Sequence, residues 1–209
     1  MKYLVTGFPK FDRFAENSTQ MLIESMQSDP PEELSGLRDS IAFEMVEFDN
    51  KDAASQQKTM RANFRKLLAK HDPSVCLFCG QAASRSWITL ETIAINVFKG
   101  DLIDPEGPPA YWATLPEQKS LVEALCKAEI PAKLSHHAGT HLCNHILYDG
   151  LRHADTHANG MVCGFLHLPM TNSQVISGNE NRPFVPLSMT RKALVMAILH
   201  THQHSSDTR

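Results

Sequence analysis

The predicted fold is organised around one segment, Ser135-His136-His137-Ala138-Gly139-Thr140-His141-Leu142-Cys143-Asn144-His145-Ile146-Leu147-Tyr148. A short strand is predicted before it, over 130–135, Gly139 and Thr140 mark a turn, and apolar residues recur at helical spacing from Cys143 onward. A thiol in the first turn of a helix lies near unpaired N–H groups and the positive end of the helix dipole, which favour the nucleophilic thiolate. Free cysteines are also common as small core residues, so this segment alone leaves both interpretations of Cys143 open.

Strand-like and helix-like segments alternate on both sides of this turn. Strands are predicted at 2–7, 41–48, 75–80, 88–96, 130–135 and 161–169, and helices after 17–18 and over 52–70, 117–128 and 188–202. Two of the strands are almost continuously apolar, which indicates burial on both faces. We therefore predict an α/β fold, a three-layer sandwich with a largely parallel or mixed central sheet and helices on both faces. We expect a single domain over 1–209, with 203–209 as a disordered tail.

Composition excludes several classes of function. Of the 209 residues, 42% are hydrophobic and 21% are charged, and the formal net charge is −3. These values are typical of a soluble globular protein and lack the basic excess of a nucleic-acid or membrane-surface protein. No apolar run is long enough for a bilayer span or a secretory signal. The five cysteines lie mostly in apolar runs, as reduced thiols do. We predict a cytoplasmic location and no nucleic-acid or membrane partner.

Two patterns raise the question of a metal site. Cys76 and Cys79 have the spacing of a redox or zinc motif, but they lie in an apolar strand and no second pair follows at zinc-ribbon spacing, which favours core packing. His141 and His145 are one helical turn apart, but no glutamate follows the first, so the H-E-x-x-H motif is absent. We predict no metal and no cofactor.

A thiol nucleophile needs a base, and the base needs a partner that fixes its orientation. His167 and Glu91 supply these residue types, and each is the lone ionisable group in a long apolar strand, where an unpaired charge is costly. Taken singly, His167 is more readily explained as a core histidine and Glu91 as a carboxylate at a strand edge. Their joint occurrence favours a catalytic triad of Cys143, His167 and Glu91, because active residues in such sheets gather where strands end.

Several blocks of this chain together resemble the pyroglutamyl peptidase I family, cysteine exopeptidases that remove an N-terminal pyroglutamyl residue. They are Val5-Thr6-Gly7-Phe8 with Phe11, Gly80-Gln81-Ala82 through Arg85, Ile88-Thr89-Leu90-Glu91 to Asn96, Gly107 to Tyr111 with Thr114-Leu115-Pro116, Ala138-Gly139-Thr140 with Cys143-Asn144, and Gly164 to Pro169. The resemblance covers nearly the whole chain and puts the family's nucleophile, histidine and acid at Cys143, His167 and Glu91.

The resemblance also implies a substrate site, in which an aromatic pocket holds the neutral pyrrolidone ring. The residues expected to bind substrate are Phe8, Phe11, Gln81, Asn17, His141 and Leu142. Backbone N–H groups at the start of the helix, helped by Arg85, are expected to stabilise the oxyanion. The implied substrate is a small peptide with an N-terminal pyroglutamate, the implied reaction needs no cofactor, and the implied assembly is a homo-oligomer, commonly a tetramer.

The sequence departs from the family pattern near the expected site, and the loop that normally follows 100–104 is largely missing. The departures are Pro9 and Lys10 in the first loop, Asp12 and Arg13 for two glycines, Ala83 and Ser84 for two more, Thr92 and Asp101 for arginines, and His141 for an aromatic residue. Two alternatives therefore stay open. One is a related amidase with a shifted N-acyl or lactam substrate. The other is a degenerate homologue that binds capped peptides without turnover, which Asp101 favours and the intact triad opposes.

Overall fold

In the computed structural model, which describes residues 1–11, 15–178 and 180–206, the larger sheet has six strands and a smaller one has two. The strands are β1 (Tyr3–Gly7), β2 (Ile41–Met45), β3 (Val75–Gln81), β4 (Ile88–Glu91), β5 (Ile93–Ile95), β6 (Ala110–Trp112), β7 (Ala132–Ser135) and β8 (Val162–Leu168). The larger sheet has the order β2-β1-β3-β8-β4-β7, and β5 pairs with β6. Strands β2, β1, β3 and β8 are parallel, whereas β4 is antiparallel to β8 and parallel to β7. The prediction of an α/β fold with a largely parallel or mixed sheet is confirmed.

Helices cover both faces of the larger sheet. They are α1 (Ser18–Ser28), α2 (Ala53–His71), α3 (Gln118–Lys127), α4 (Leu142–His157), α5 (Asn172–Gly178) and α6 (Leu187–Ser206), with a 3-10 helix at Glu32–Ser40. Helices α1, α3 and α6 contribute to one hydrophobic cluster, and α2 and α4 contribute to the other. Within the described ranges, no helix combines the length and the apolarity that a bilayer crossing requires.

Strand β3 shows why both faces must be covered. Val75, Leu77 and Cys79 belong to the cluster of α1, α3 and α6, whereas Cys76 and Phe78 belong to the cluster of α2 and α4. All five are buried. Because successive residues of a strand face opposite sides of the sheet, a continuously apolar strand is stable only between two layers. Cys76 and Cys79 consequently pack into different clusters rather than forming a common metal or redox site.

The register of the central strands brings ionisable side chains to one face of the sheet. Gly80 of β3 pairs with His167 of β8. On the other side of β8, Thr89 pairs with His167, and Glu91 pairs with Phe165. Paired residues of neighbouring strands present their side chains on the same face, as do residues two positions apart. These residues therefore share the face that α4 covers, because Phe165 belongs to the cluster of α2 and α4.

The segment predicted as one strand over 88–96 forms two strands in different sheets. The N–H of Thr92 donates to the carbonyl oxygen of Ser135 at 2.8 Å, which ends the pairing of β4 with β7. Beyond it, the amide side chain of Asn144 binds both the N–H and the carbonyl of Ile95, at 2.9 and 2.8 Å. A buried side chain of α4 thus serves as the hydrogen-bonding neighbour of β5, and the local alternation of residues carries no sign of this.

The structure differs from the sequence-based elements in four further places. The 3-10 helix, α5 and β6 lie in segments for which no element is predicted. Helix α6 continues to Ser206, so residues 203–206 of the expected tail are helical and 207–209 lie outside the described residues. The predicted turn before α4 is present, and Gly139 has a φ of 84° there.

Candidate active site

The thiol of Cys143 lies against the sheet, beside the strand that carries His167. Cys143 is the second residue of α4. A Cβ atom added at Gly80 would lie only 2.7 Å from its sulfur. Gly80 pairs with His167 in the ladder between β3 and β8, and neighbouring strands are about 4.8 Å apart. The thiol and the imidazole therefore both lie next to Gly80, and glycine at position 80 permits the approach of the thiol because it has no side chain.

His167 is held in one orientation by Glu91. The Nδ1 atom of His167 is 2.8 Å from Oε1 of Glu91, and the two residues are 4% and 1% exposed. An ionised carboxylate only accepts hydrogen bonds, so His167 donates its Nδ1–H and keeps Nε2 as the atom that can take a proton. The ring of Phe165 packs against the imidazole with a centroid separation of 4.6 Å. The pair is thus a buried, oriented base.

Arg85 and Thr89 complete the surroundings of Glu91. Nη1 of Arg85 donates to Oε1 of Glu91 and to the hydroxyl of Thr89, and Nη2 donates to the carbonyl oxygen of His137 at 2.9 Å. The Thr89 hydroxyl also donates to Oε1 of Glu91, at 3.2 Å. Arg85 was expected to help stabilise an oxyanion. Its guanidinium binds Glu91, the carboxylate that accepts from His167.

These contacts set the charge of the buried pair. Burial by itself would raise the pKa of Glu91, but the hydrogen bond and charge of His167, a hydrogen bond from Ser135 and the charge of Arg85 lower that pKa to about 2. Burial lowers the pKa of His167, and Arg85 acts in the same direction while Glu91 opposes both. At neutral pH, Glu91 is therefore ionised and His167 is neutral, which leaves Nε2 free to act as a base.

The thiol of Cys143 is protonated in the same state. Burial, joined by the negative charge of Glu91, raises the pKa of Cys143 to about 12, although Arg85 and the backbone N–H of Cys143 lower it. The helix N-terminus was expected to favour the thiolate. The N–H of the first helical turn does act in that direction, but burial outweighs it. The resting site is thus a neutral thiol next to a neutral imidazole.

A cleft of about 670 Å³ opens beside Cys143. Its lining consists of Phe8, Phe11, Phe48, Asn50, Gln56, Lys99, His141, Leu142 and Cys143. The ring of Phe48 meets those of Phe8 and Phe11 edge to face, at centroid separations of 6.0 and 6.3 Å. Such edge contacts are favourable by about 0.5–1.5 kcal/mol each beyond the burial of the rings, so the three phenylalanines form one apolar wall. The cleft thus includes Phe8, Phe11, His141 and Leu142 of the predicted substrate-binding set.

Asn17 and Gln81 are the other two residues of that set. They lie at the start of α1, next to residues 8–11, which we call the aromatic loop. Asn17 caps α1, accepting from the N–H of Thr19 at 2.8 Å, and its Nδ2 donates to the carbonyl oxygen of Pro9 at 3.2 Å. Gln81 accepts from the N–H of Ser18 at 2.6 Å. Neither residue is among the described ones that line the cleft. Both instead fix the start of α1, to which the aromatic loop is tied.

Four cleft-lining residues were not predicted from the sequence. Phe48 and Asn50 follow β2, Gln56 lies in the first turn of α2, and Lys99 lies in a turn after β5. None of them belongs to a local motif. Only Phe48 could have been found from the sequence, because it ends the apolar alternation over 41–48. They reach the cleft because the β2–α2 connection and the turn after β5 both fold over Cys143.

The turn after β5 also decides where Asp101 lies. Phe98 and Asp101 exchange backbone hydrogen bonds of 2.8 and 3.0 Å, and the two residues between them, Lys99 and Gly100, have φ of 51° and 100°. Two positive φ values in this position are typical of a tight hairpin turn. The turn presents Lys99 to the cleft, and Asp101 is not part of the described lining. Asp12 and Arg13, the departures in the first loop, lie outside the described residues.

A metal site and a second cavity are the alternatives to this cleft. In the ranges that the structure describes, no three side chains of His, Cys, Asp or Glu are grouped so as to hold a metal ion. A second cavity of about 670 Å³ lies between α2 and α4, with Arg61, Arg65, Asp149, Arg152 and His153 in its lining. We place the chemistry in the cleft beside Cys143 because its lining includes the thiol and the aromatic wall.

The chain is similar to known peptidases over nearly its whole length. The model of the pyroglutamyl peptidase family matches residues 1–204. The pyrrolidone-carboxylate peptidase 1 of Caldanaerobacter subterraneus subsp. tengcongensis is 33% identical over 213 residues, which cover 95% of this chain and 96% of that protein. The pyrrolidone-carboxylate peptidase of Bacillus licheniformis is 32% identical over 220 residues, which cover 100% of this chain and 95% of that one.

Solved structures share the fold over the same length. The pyroglutamyl peptidase I of Bacillus amyloliquefaciens superposes with a TM-score of 0.79 and 27% identity, covering 96% of this chain and 94% of that chain. A variant of the pyrrolidone carboxyl peptidase of Pyrococcus furiosus superposes with a TM-score of 0.82 and 25% identity, covering 98% and 99%. Family model, relatives and fold agree over almost the entire sequence, and the chain therefore belongs to the pyroglutamyl peptidase family of cysteine peptidases.

Proposed function

We propose that this chain hydrolyses the amide bond between an N-terminal pyroglutamyl residue and the rest of a peptide, with Cys143 as nucleophile. The observation that carries the proposal is the position of the Cys143 sulfur. It lies against Gly80, beside the buried pair of His167 and Glu91, and in the lining of a cleft with an aromatic wall. The names of the relatives, pyrrolidone-carboxylate peptidases, point to the same bond.

The aromatic wall accounts for the choice of substrate. A pyroglutamyl ring is a neutral lactam, and its faces can pack against Phe8, Phe11 and Phe48. The edge-to-face contacts of these three rings hold the rings in place. An uncyclised N-terminal glutamate or glutamine carries a charged amine. This amine would lose its hydrating water against the apolar wall, at a cost in binding free energy. We expect such peptides to be rejected.

The reaction begins with proton transfer, because the thiol is neutral at rest. Nε2 of His167 takes the proton of Cys143 as the sulfur attacks the pyroglutamyl carbonyl carbon, and a C–S bond forms. Glu91 holds the imidazole by its Nδ1–H and stabilises the positive charge that develops on it. Arg85 and Thr89 keep the Glu91 carboxylate ionised and in place. The oriented base thus supplies the thiolate only at the moment of attack.

The tetrahedral intermediate places negative charge on the former carbonyl oxygen. The first amide of α4 with a described backbone acceptor is that of His145, which donates to the carbonyl of His141 at 3.0 Å. The amides of Leu142 and Cys143 precede it, and the side chain of His141 makes no capping hydrogen bond. Amides at a helix N-terminus are suited to an anion. We assign the oxyanion to these amides rather than to Arg85, whose guanidinium is bound to Glu91.

Collapse of the intermediate breaks the C–N bond, and His167 returns its proton to the departing amine. The shortened peptide leaves, and the pyroglutamyl group remains on Cys143 as a thioester. A water molecule then attacks the thioester carbon while His167 takes its proton. The C–S bond breaks, the sulfur recovers the proton, and pyroglutamate is released. Each bond and proton is balanced by groups of this chain and one water, so the proposal includes no cofactor.

The direct test is release of a fluorescent arylamine from its pyroglutamyl amide by the purified protein. We expect release by the wild type and none above background by Cys143→Ala, with folding checked by circular dichroism. Cys126→Ala is the matched control, because Cys126 is exposed and distant from the cleft lining, and it should leave the rate unchanged. Activity in Cys143→Ala would overturn the assignment of the nucleophile.

The same assay distinguishes the two alternatives. Hydrolysis of other N-acyl amides in preference to the pyroglutamyl amide would indicate a shifted amidase. Binding of a pyroglutamyl peptide without turnover would indicate a degenerate homologue. The described structure does not favour the second alternative, because Asp101, which suggested it, is not part of the described cleft lining.

We also propose that the protein acts in the cytoplasm and self-associates. The first point rests on five free cysteines, which suit a reducing compartment. The second rests on the exposure of large apolar side chains, among them Trp112 at 69% and Leu102 at 56%. Fluorescence microscopy of a tagged chain and sedimentation velocity test the two proposals.

A further inference from the structure

We infer that Lys99, held by Gln56, forms a subsite for a carboxylate of the leaving peptide. The enzyme would accordingly favour pyroglutamyl peptides that carry a negative charge just beyond the scissile bond, either a free α-carboxylate or an acidic side chain. The inference rests on the proposed function and adds to it a preference on the leaving side.

The cleft has two chemically different walls. Phe8, Phe11 and Phe48 form the apolar wall, whereas Asn50, Gln56 and Lys99 contribute amide and ammonium groups. A five-membered lactam fills only part of about 670 Å³, a volume within the range of roughly 300–1,000 Å³ that usually accommodates a much larger ligand. The polar wall therefore has room for the part of the substrate that follows the ring.

The charge of Lys99 is not neutralised by the described residues. Its Nζ donates to Oε1 of Gln56 at 2.7 Å, which is a neutral acceptor, and lies 5.5 Å from the ring centroid of Phe98. No ion pair of Lys99 with a carboxylate occurs in the part of the chain that the structure describes. A solvated lysine usually needs no partner. Lys99, however, lines the same cleft as the Cys143 thiol, so an anionic group that enters the cleft meets its positive charge.

The backbone fixes Lys99 relative to the nucleophile. The N–H of Lys99 donates to the carbonyl oxygen of Thr140 at 2.8 Å, just before α4 begins. Asn144, the residue after Cys143, donates from Nδ2 to the carbonyl oxygen of Val97 at 2.9 Å. The turn that carries Lys99 is thus bound on both sides of Cys143. A substrate whose carbonyl lies at the thiol consequently has its next residue near the turn that carries Lys99.

Peptide geometry fixes where the charge of the substrate lies relative to the scissile bond. An extended chain advances about 3.3 Å per residue, so the α-carboxylate of a pyroglutamyl dipeptide lies one residue beyond the scissile carbonyl. A lysine ammonium with a long flexible stem can follow such a carboxylate as a point charge. The neutral ring and the charged end of the substrate would then occupy the two walls that match them.

The test compares two substrates that differ by one charge, pyroglutamyl-alanine and pyroglutamyl-alanine amide. We expect wild-type kcat/KM to be about three- to tenfold higher for the free carboxylate, the effect of one partly solvated charge pair. In Lys99→Gln this ratio should fall to about one, and in Lys99→Glu it should fall below one. Lys58→Gln is the control, because it removes the same charge from an exposed position on α2 outside the cleft lining, and it should keep the wild-type ratio.

A neutral pyroglutamyl arylamide separates this inference from the proposed function. Lys99→Gln should hydrolyse the arylamide at nearly the wild-type rate, since that substrate has no carboxylate. If the wild type cleaves neither dipeptide nor arylamide, the proposed function fails, and the dissociation constants of the two dipeptides for Cys143→Ala, measured by calorimetry, decide the inference alone. A wild-type ratio of one, or a ratio that Lys99→Gln leaves unchanged, would overturn it.

Discussion

Gly80→Ala tests the geometry on which the active site is built. The added Cβ would lie 2.7 Å from the Cys143 sulfur and 2.6 Å from Cζ of Phe165. Nonbonded carbon contacts are optimal at roughly 3.5–4.0 Å, so the thiol and the ring must each retreat by about 1 Å. Phe165 also packs against His167, so its displacement disturbs the base as well. A misplacement of about 1 Å at a reacting centre can cost about 100-fold in rate, and we expect that loss in kcat/KM.

The assay is hydrolysis of the pyroglutamyl arylamide, with chemical denaturation as the measure of folding. Overpacking of a core position typically lowers the free energy of unfolding by about 1–3 kcal/mol, so the variant should remain folded while its activity collapses. Gly164→Ala is the matched control. Its Cβ would lie 3.0 Å from the side chain of Leu115, which belongs to the other hydrophobic cluster, so it should lose stability but keep most activity. A folded Gly80→Ala within a few-fold of wild-type kcat/KM would refute the proposed placement of the thiol.

Four further predictions concern the proposed triad, its neighbours and the cap of α1. Arg85→Met should lower kcat about tenfold with little change in KM. It should also move the acid limb of the pH profile of kcat/KM to higher pH, because Arg85 lowers the pKa of His167. An effect on KM alone would contradict this role. In the wild type that limb should lie below the usual histidine pKa of about 6.5, since the base is lost as pH falls through a lowered pKa. Alkylation of Cys143 by iodoacetamide should accelerate continuously from about pH 6 to about pH 10, because its pKa is raised to about 12; a plateau near neutrality would indicate a preformed thiolate. Asn17→Ala should lower the free energy of unfolding by about 1 kcal/mol and raise KM, since it removes the cap of α1 and the bond to the aromatic loop, whereas Asn17→Asp should keep most of the cap.

Much of the architecture follows from local patterns. The continuously apolar β3 and β8 require cover on both faces, and this requirement alone indicates a three-layer α/β fold. The ends of the strands were also readable, because Gly7 ends β1 and Gln81 ends β3 close to where the apolar runs stop. The split of the 88–96 strand was not readable, because the partner that separates β5 from the main sheet is the side chain of Asn144, distant in the chain.

The roles around the acid also depended on distant contacts. Arg85 is six residues from Glu91 in sequence, and only the pairing of β4 with β8 reveals that Arg85 and His167 bind the same carboxylate oxygen, Oε1 of Glu91. Asn17 and Gln81 were expected to bind substrate because of the resemblance to the peptidase family. In the structure, their side-chain oxygens accept hydrogen bonds from backbone N–H groups at the start of α1. Polar residues near a site are not distinguished from its ligand-binding residues until their hydrogen bonds are known.

By itself, the sequence determined the fold class and supplied the residue types of the proposed triad, because burial pattern and the cost of unpaired charge are properties of local segments. Only the tertiary structure decided the charge state of the thiol and the composition of the cleft. The pKa of Cys143 depends on burial by the sheet and on Glu91 and Arg85, and Phe48 and Lys99 reach the cleft through separate connections. Electrostatic and packing energies depend on distances through space, and those distances exist only once the strands are paired and α4 lies across them.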